Sequence, residues 1–207
     1  MNFWTTLLAH QATWFAAVIG AGQAGLSTAY HLRQAGLQPG RGLIVLDSAP
    51  AAGGAWQFRW PSLTLSTVNR IHDLPGLPFA EVVDTTAETV QAAEAVPAYY
   101  AAYEARFALP VRRPLRVRRV SRRDERFRIE TDAETYSVRG IVNATGTWET
   151  PFIPDYPGQA RFGGRQLHTR DYRRAWRIGR RLDAGTVWVN TYKLFSIATP
   201  FAGRKDS

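Results

Sequence analysis

Three glycines and one carboxylate carry the clearest chemistry in this chain. Gly20-Ala21-Gly22-Gln23-Ala24-Gly25 has the G-x-G-x-x-G spacing, and Asp47 stands twenty-two positions after the last glycine. A turn of this kind suits a diphosphate. Gly20 permits a sharp exit from a strand, Gly22 lets the main chain approach phosphates where a side chain would collide, and Gly25 lets a helix pack tightly on that strand. The helix N-terminus then offers unpaired N–H groups and a partial positive charge to the anion. Asp47 is spaced to accept hydrogen bonds from the hydroxyls of the adjoining ribose. The alternative is a structural turn with no ligand, and the flanking elements favour the dinucleotide.

Those elements are a strand, a helix and a second strand. Trp14-Phe15-Ala16-Ala17-Val18-Ile19 reads as a buried strand leading straight into the turn. Leu26, Ala29 and Tyr30 share one helical face, Leu32 and Ala35 extend the stripe, and Gly36 stands where a C-terminal capping glycine belongs. Leu43-Ile44-Val45-Leu46 is the second strand, closed by Asp47. Further on, Pro97 is expected to open a helix carrying Tyr100, Tyr103 and Phe107 on one face, with Pro110 ending it. Gly140-Ile141-Val142-Asn143-Ala144-Thr145-Gly146 reads as a strand running out into small residues that permit close passage of a cofactor. The expected fold is α/β: a Rossmann-like half-domain with a mostly parallel sheet. A small antiparallel β-meander from about Leu115 to Val138 should cover one side.

Composition narrows the function classes. The 207 residues are 45% hydrophobic, 21% charged and 12% aromatic, which supports an ordinary globular core. Cysteine is absent, which removes disulfides, thiolate metal sites and cysteine nucleophiles, and agrees with a reducing, cytoplasmic setting. His10, His31, His72 and His168 lack ligand spacing, so no metal site is expected. The net charge of +9 is concentrated: nine arginines fall between Arg112 and Arg128, and more lie from Arg161 to Arg181. Leu115, Val117, Val120, Phe127 and Ile129 interleave with the first group as half-buried strands require, which favours a solvated sheet face over a nucleic-acid surface. Only Phe127 is available there for base stacking. Trp14–Ile19 lacks a basic leader and is too short for a membrane span.

Asp47-Ser48-Ala49-Pro50-Ala51-Ala52-Gly53-Gly54-Ala55-Trp56 resembles the stretch after the second strand of flavin-dependent monooxygenases, the FAD-dependent, pyridine-nucleotide oxidoreductases. Arg59-Trp60-Pro61-Ser62-Leu63 and Asn69-Arg70-Ile71-His72-Asp73-Leu74-Pro75-Gly76 are similar to the same family, as is a strand ending in Ala144-Thr145-Gly146. Phe162-x-Gly164-x-x-x-His168-x-x-x-Tyr172 resembles its F-x-G-x-x-x-H-x-x-x-(W/Y/F) signature at the junction of the FAD and NADPH domains. The resemblance covers about residues 14–172. It implies an FAD-binding domain in which Gly20, Gly22, Gly25 and Asp47 hold the ADP moiety and Gly54 and Trp56 lie along the flavin. Thr145 and Gly146 would flank the cofactor, with His168 near the nicotinamide. It also implies reduction of FAD by NADPH, then reaction with O₂ to oxygenate a small-molecule substrate. No general base stands out.

The pattern then breaks. Family members carry a second G-x-G-x-x-G for NADPH soon after the position of Tyr172, and none occurs in this sequence, where 35 residues follow Tyr172. The stretch Arg181–Asn190 and the segment Thr199–Ser207 resemble a C-terminal part of aldehyde dehydrogenases, with Ala202 in place of a usual glycine. The expected organisation is therefore an unassigned leader at 1–13, an FAD-binding domain at 14–173 and an aldehyde-dehydrogenase-like tail at 174–207. Such a chain is truncated or hybrid and has little or no NADPH-driven turnover. A non-catalytic nucleotide-binding module and an arginine-rich nucleic-acid binder are the alternative readings.

Overall fold

The structure, a computed structural model, describes residues 13–40, 42–68, 70–86, 89–150, 155, 157–161 and 163. The chain divides into two compact units, Met1–Gly146 and Thr147–Ser207. In the second unit the described structure is a single 3₁₀ turn, Gln159–Arg161. The expected break between 173 and 174 lies outside the described residues.

The first unit is built on one six-stranded sheet. Strand β1 (Thr13–Ile19) is followed by helix α1 (Gln23–Gln34) and strand β2 (Leu43–Leu46). Helix α2 (Ala92–Arg106), β3 (Val111–Arg112), β4 (Val117–Arg123), β5 (Arg126–Thr131) and β6 (Thr135–Asn143) complete it. The order across the sheet is β3-β2-β1-β6-β5-β4. β3, β2, β1 and β6 are mutually parallel, whereas β5 and β4 join antiparallel. The meander therefore continues the main sheet through β6. The reason is that β6 is nine residues long, and its Ser137 and Val138 pair with β5 on one side and β1 on the other.

Strand alternation divides the apolar residues between two faces. Leu43 and Val45 of β2 join Leu26 and Ala29 of α1 and Val96, Tyr99 and Tyr103 of α2 in one core. Ile44 and Leu46 face the other way, where Leu115, Ile129, Tyr136 and Val138 of the meander region close over them with Trp14. The meander thus extends the sheet and also covers its second face.

Local signals account for the element ends. α1 stops in a Schellman arrangement: Gly36 adopts φ +95°, its N–H bonds the Arg33 carbonyl at 3.0 Å, and the Leu37 N–H bonds the Leu32 carbonyl at 3.1 Å. α2 begins at Ala92, five residues before the expected start, and Pro97 lies inside it. Gln91 caps it, and the Ala92 N–H is anchored on the Leu63 carbonyl at 2.8 Å, so the preceding loop fixes the start ahead of the proline. Val120 is 37% exposed rather than half-buried, because β4 is the sheet edge and most of its residues face solvent. The arginines of β4 lie on that solvated edge.

The loop between the two helices is stitched to them. The Leu74 N–H donates to the Tyr99 hydroxyl at 2.7 Å, and that hydroxyl donates to the Leu77 carbonyl at 2.5 Å. Tyr103 donates to the Pro75 carbonyl at 2.7 Å, and Asp73 accepts from the Phe79 N–H at 2.7 Å.

Candidate functional site

The site residues gather where β1, β2 and β6 end. The Gly20 N–H bonds the Leu46 carbonyl at 2.7 Å, and the Ala144 N–H bonds the Ile19 carbonyl at 2.9 Å. These bonds bring the glycine turn, Asp47 and Thr145 to the same end of the sheet.

The three fingerprint glycines have separable roles. Gly20 has φ +105°, and a Cβ there would run into the Ala144 carbonyl oxygen. A Cβ on Gly25 would overlap the Gly20 carbonyl oxygen. Both positions are therefore held to glycine by the fold itself. Gly22 is different. Its φ of −83° suits any residue, and a Cβ there would meet no atom of the described residues within 4 Å. Packing among the described residues gives no reason for glycine at this position, and the open space at a helix N-terminus is what a ligand's approach requires. Gly22 is also the cap of α1, with no side-chain hydrogen bond and no acidic residue in the first turn. The first turn of α1 thus supplies no carboxylate of its own to compete for the N–H groups there.

The loop after β2 closes on this turn. Gly54, at φ +51°, approaches so closely that its Cβ would sit 3.1 Å from the Gly22 Cα. Gly53 does the same against α2, where a Cβ would meet the Pro97 ring at 2.7 Å. The loop then winds into a 3₁₀ turn, Gly54–Phe58, which carries Trp56. Trp56 packs against the helix-side core and hydrogen-bonds the Tyr100 hydroxyl, whose burial raises its pKa to about 12. The Arg59 guanidinium lies 5.5 Å from the Trp56 ring centre and 5.9 Å from that of Trp60, and burial lowers its pKa.

On the β6 side, Thr145 forms a tight Asx turn. Its hydroxyl and N–H both donate to Asn143 Oδ1, at 2.9 and 3.3 Å. Gly146 follows at φ +65° with open space where a Cβ would stand.

Asp47 sits at the end of β2, 6% exposed, and its carboxylate is held by the protein. Oδ2 accepts from Arg113 Nε at 3.1 Å, and Oδ1 accepts a long bond from the Ala49 N–H at 3.4 Å. Arg113 in turn grips Glu104 of α2 with both terminal nitrogens, at 2.6 and 2.7 Å. Burial alone would lower the Arg113 pKa; the hydrogen bonds and charge of Glu104, with those of Asp47, outweigh it and raise the value. Neither Arg113 nor Glu104 was singled out by the sequence. Arg113 lies in the arginine run that reads as a solvated face, and Asp47 is 66 positions away. The available signal was Glu104 itself, one acid beside the aromatic stripe Tyr100, Tyr103 and Phe107.

The structure thus brings together Gly20, Gly22, Gly25, Gly54, Trp56, Asp47, Thr145 and Gly146. His168, with Phe162, Gly164 and Tyr172 of its pattern, lies outside the described residues. Among the described residues no group of three His, Cys, Asp or Glu side chains is placed to hold a metal ion. No helix among them is long and apolar enough to cross a membrane.

A parallel sheet whose first crossover bears a glycine turn of this geometry is a dinucleotide-binding α/β unit. Comparison with known proteins specifies the class. The chain belongs to the pyridine nucleotide-disulphide oxidoreductase family, whose model matches residues 17–177. It is similar to the uncharacterized oxidoreductase CzcO of Bacillus velezensis, with 30% identity over 83% of this chain and 46% of the relative. It is also similar to the indole-3-pyruvate monooxygenase YUCCA1 of Oryza sativa, with 31% identity over 78% of this chain and 39% of the relative. A solved flavin-containing monooxygenase from Stenotrophomonas maltophilia superposes with a TM-score of 0.66 at 39% identity, covering 77% of this chain and 46% of that one. These likenesses support an FAD-dependent, monooxygenase-type oxidoreductase family. The chain spans under half the length of these relatives. Residues 163–207 match the aldehyde dehydrogenase family, as the resemblance in the tail led one to expect.

Proposed function

We propose that this chain is the FAD-binding part of a flavin-monooxygenase-type oxidoreductase. The observation that carries the reading is Gly22. Of the three fingerprint glycines it alone has no packing reason among the described residues to be glycine, and it starts α1 without a side-chain cap, close beside the Gly54 loop.

In this reading the first-turn N–H groups of α1 and the bare main chain at Gly22 receive the diphosphate. Asp47 accepts from the ribose hydroxyls. Gly54 and Trp56 line the path toward the isoalloxazine, and Thr145 and Gly146 let the main chain pass close on the β6 side. Bound FAD supplies hydride acceptance from NADPH and, once reduced, reaction with O₂. The residues of this chain bind the cofactor and orient it, while Trp56 and Trp60 beside Arg59 exclude water on the loop side. With one G-x-G-x-x-G in 207 residues, the chain taken alone has no second dinucleotide turn to place NADPH. In this reading these 207 residues on their own support little NADPH-driven turnover.

The test is a titration of the purified protein with FAD, followed by flavin fluorescence, beside a Gly22→Val variant. Saturable binding by the parent, with at least a tenfold loss in the variant, supports the reading; equal behaviour of the two refutes it. Addition of NADPH under argon to the loaded protein should leave the flavin absorbance largely intact. Rapid bleaching would overturn the expectation of low turnover.

A further inference from the structure

Asp47 is the one buried charged side chain among the described residues, and its setting goes beyond a simple ribose acceptor. Its main chain is clamped on both sides: the Asp47 N–H bonds the Arg112 carbonyl at 3.0 Å, and the Leu115 N–H bonds the Asp47 carbonyl at 2.8 Å. The carboxylate is clamped separately. Arg113 Nε takes Oδ2 at 3.1 Å, and the other end of the same guanidinium is locked by the bidentate Glu104 pair. The three side chains are 9%, 16% and 13% exposed for Asp47, Arg113 and Glu104.

A planar guanidinium fixed by two bonds at one end cannot pivot at the other. Oδ2 is therefore set in place, and among the described residues Oδ1 accepts the long Ala49 contact alone. Two carboxylates share one cation here, so the group carries an excess negative charge that favours donor hydroxyls as its next partners. A lysine at 113 would supply the charge but not the fork.

We propose that Arg113, locked by Glu104, is a positioning residue that fixes the Asp47 carboxylate for the ribose hydroxyls of the bound adenine dinucleotide. The proposal rests on the reading of Gly22 and Asp47 as the ADP-binding end. It assigns Arg113 and Glu104 a role in discriminating ribose from deoxyribose, exerted through Asp47 without touching the ligand.

The experiment uses the full chain and measures two affinities for each protein, for ADP and for 2′-deoxy-ADP, by isothermal titration. The parent should prefer ADP by about tenfold, the scale of one hydrogen bond to a charged acceptor. Arg113→Lys and Glu104→Gln should each reduce that preference severalfold while leaving 2′-deoxy-ADP affinity nearly unchanged. Asp47→Asn should abolish the preference, and adding Arg113→Lys to it should change nothing further. Circular dichroism establishes that each variant is folded; Glu104→Gln keeps an amide oxygen for Arg113 and serves if Arg113→Lys does not fold. Equal weakening for both nucleotides, or an undiminished preference in the two single variants, overturns the positioning role while leaving the ADP site standing. Failure of the parent to bind either nucleotide overturns the site and the proposal together.

Discussion

Gly22 and Gly54 meet main chain to main chain: a Cβ on Gly54 would stand 3.1 Å from the Gly22 Cα. Two segments more than thirty residues apart thus form one narrow seam, the glycine turn proposed for the diphosphate and the loop that leads to Trp56.

The seam separates binding from stability. Gly22→Ala adds a methyl to open space at a permissive φ, so its unfolding free energy should stay within about 0.5 kcal/mol of the parent while FAD affinity falls. Gly25→Ala drives a methyl into the Gly20 carbonyl and should cost roughly 1–3 kcal/mol or prevent folding. Urea titration of both variants beside FAD titration checks the contrast.

Tyr99 and Tyr103 pin the 74–79 loop through their hydroxyls. Tyr99→Phe strands the Leu74 N–H and the Leu77 carbonyl, at a cost of about 1–3 kcal/mol, whereas Tyr103→Phe frees one carbonyl and should cost about 1 kcal/mol. Denaturant midpoints should rank parent, then Tyr103→Phe, then Tyr99→Phe.

Alkaline pH should unfold the protein through its buried phenols. Burial raises the pKa of Tyr100 to about 12, and burial with the Glu134 hydrogen bond raises Tyr136 to about 12 as well. A raised folded value means that the folded state holds these protons more tightly than the unfolded chain does. The stabilisation is complete below the unfolded value near 10 and is lost as pH climbs from there through about 12. The urea midpoint should drop across that window, less steeply in Tyr100→Phe.

The sheet-edge arginines should prove dispensable for folding. Arg118 and Arg122 are exposed on β4, so changing both to Gln should shift unfolding by no more than about 0.5 kcal/mol. A larger loss in the urea midpoint would mean that this edge carries structure beyond solvation.

The first half of the fold was legible because its signals are local. Trp14–Ile19, the glycine turn, the Leu26–Ala29 face and Gly36 each declare themselves within a few residues, and the structure forms each element there, although Phe15, read as part of a buried strand, is 54% exposed. Elements that depend on distant partners were not legible. β3 is two residues long and exists because Val45 and Leu46 present a free edge. Pro97 marks the expected helix start, but the anchor at Leu63 sets the actual one. The Glu104–Arg113–Asp47 group joins three elements, and no spacing in the chain encodes it. Val120 alternates like a half-buried strand residue, yet its strand ends the sheet.

One helix contributes to both ends of the site. α2 offers Pro97 to Gly53 and Tyr100 to Trp56 at one end, and Glu104 to Arg113 and thence Asp47 at the other. Tyr100 and Glu104 are four residues apart, about 6 Å along the helix axis. Under the proposed function α2 would work as a ruler whose graduations are side chains: it sets the spacing between the groups assigned to the sugar and those assigned to the ring system. A dinucleotide held in that way would be registered against it as a whole length rather than gripped piece by piece.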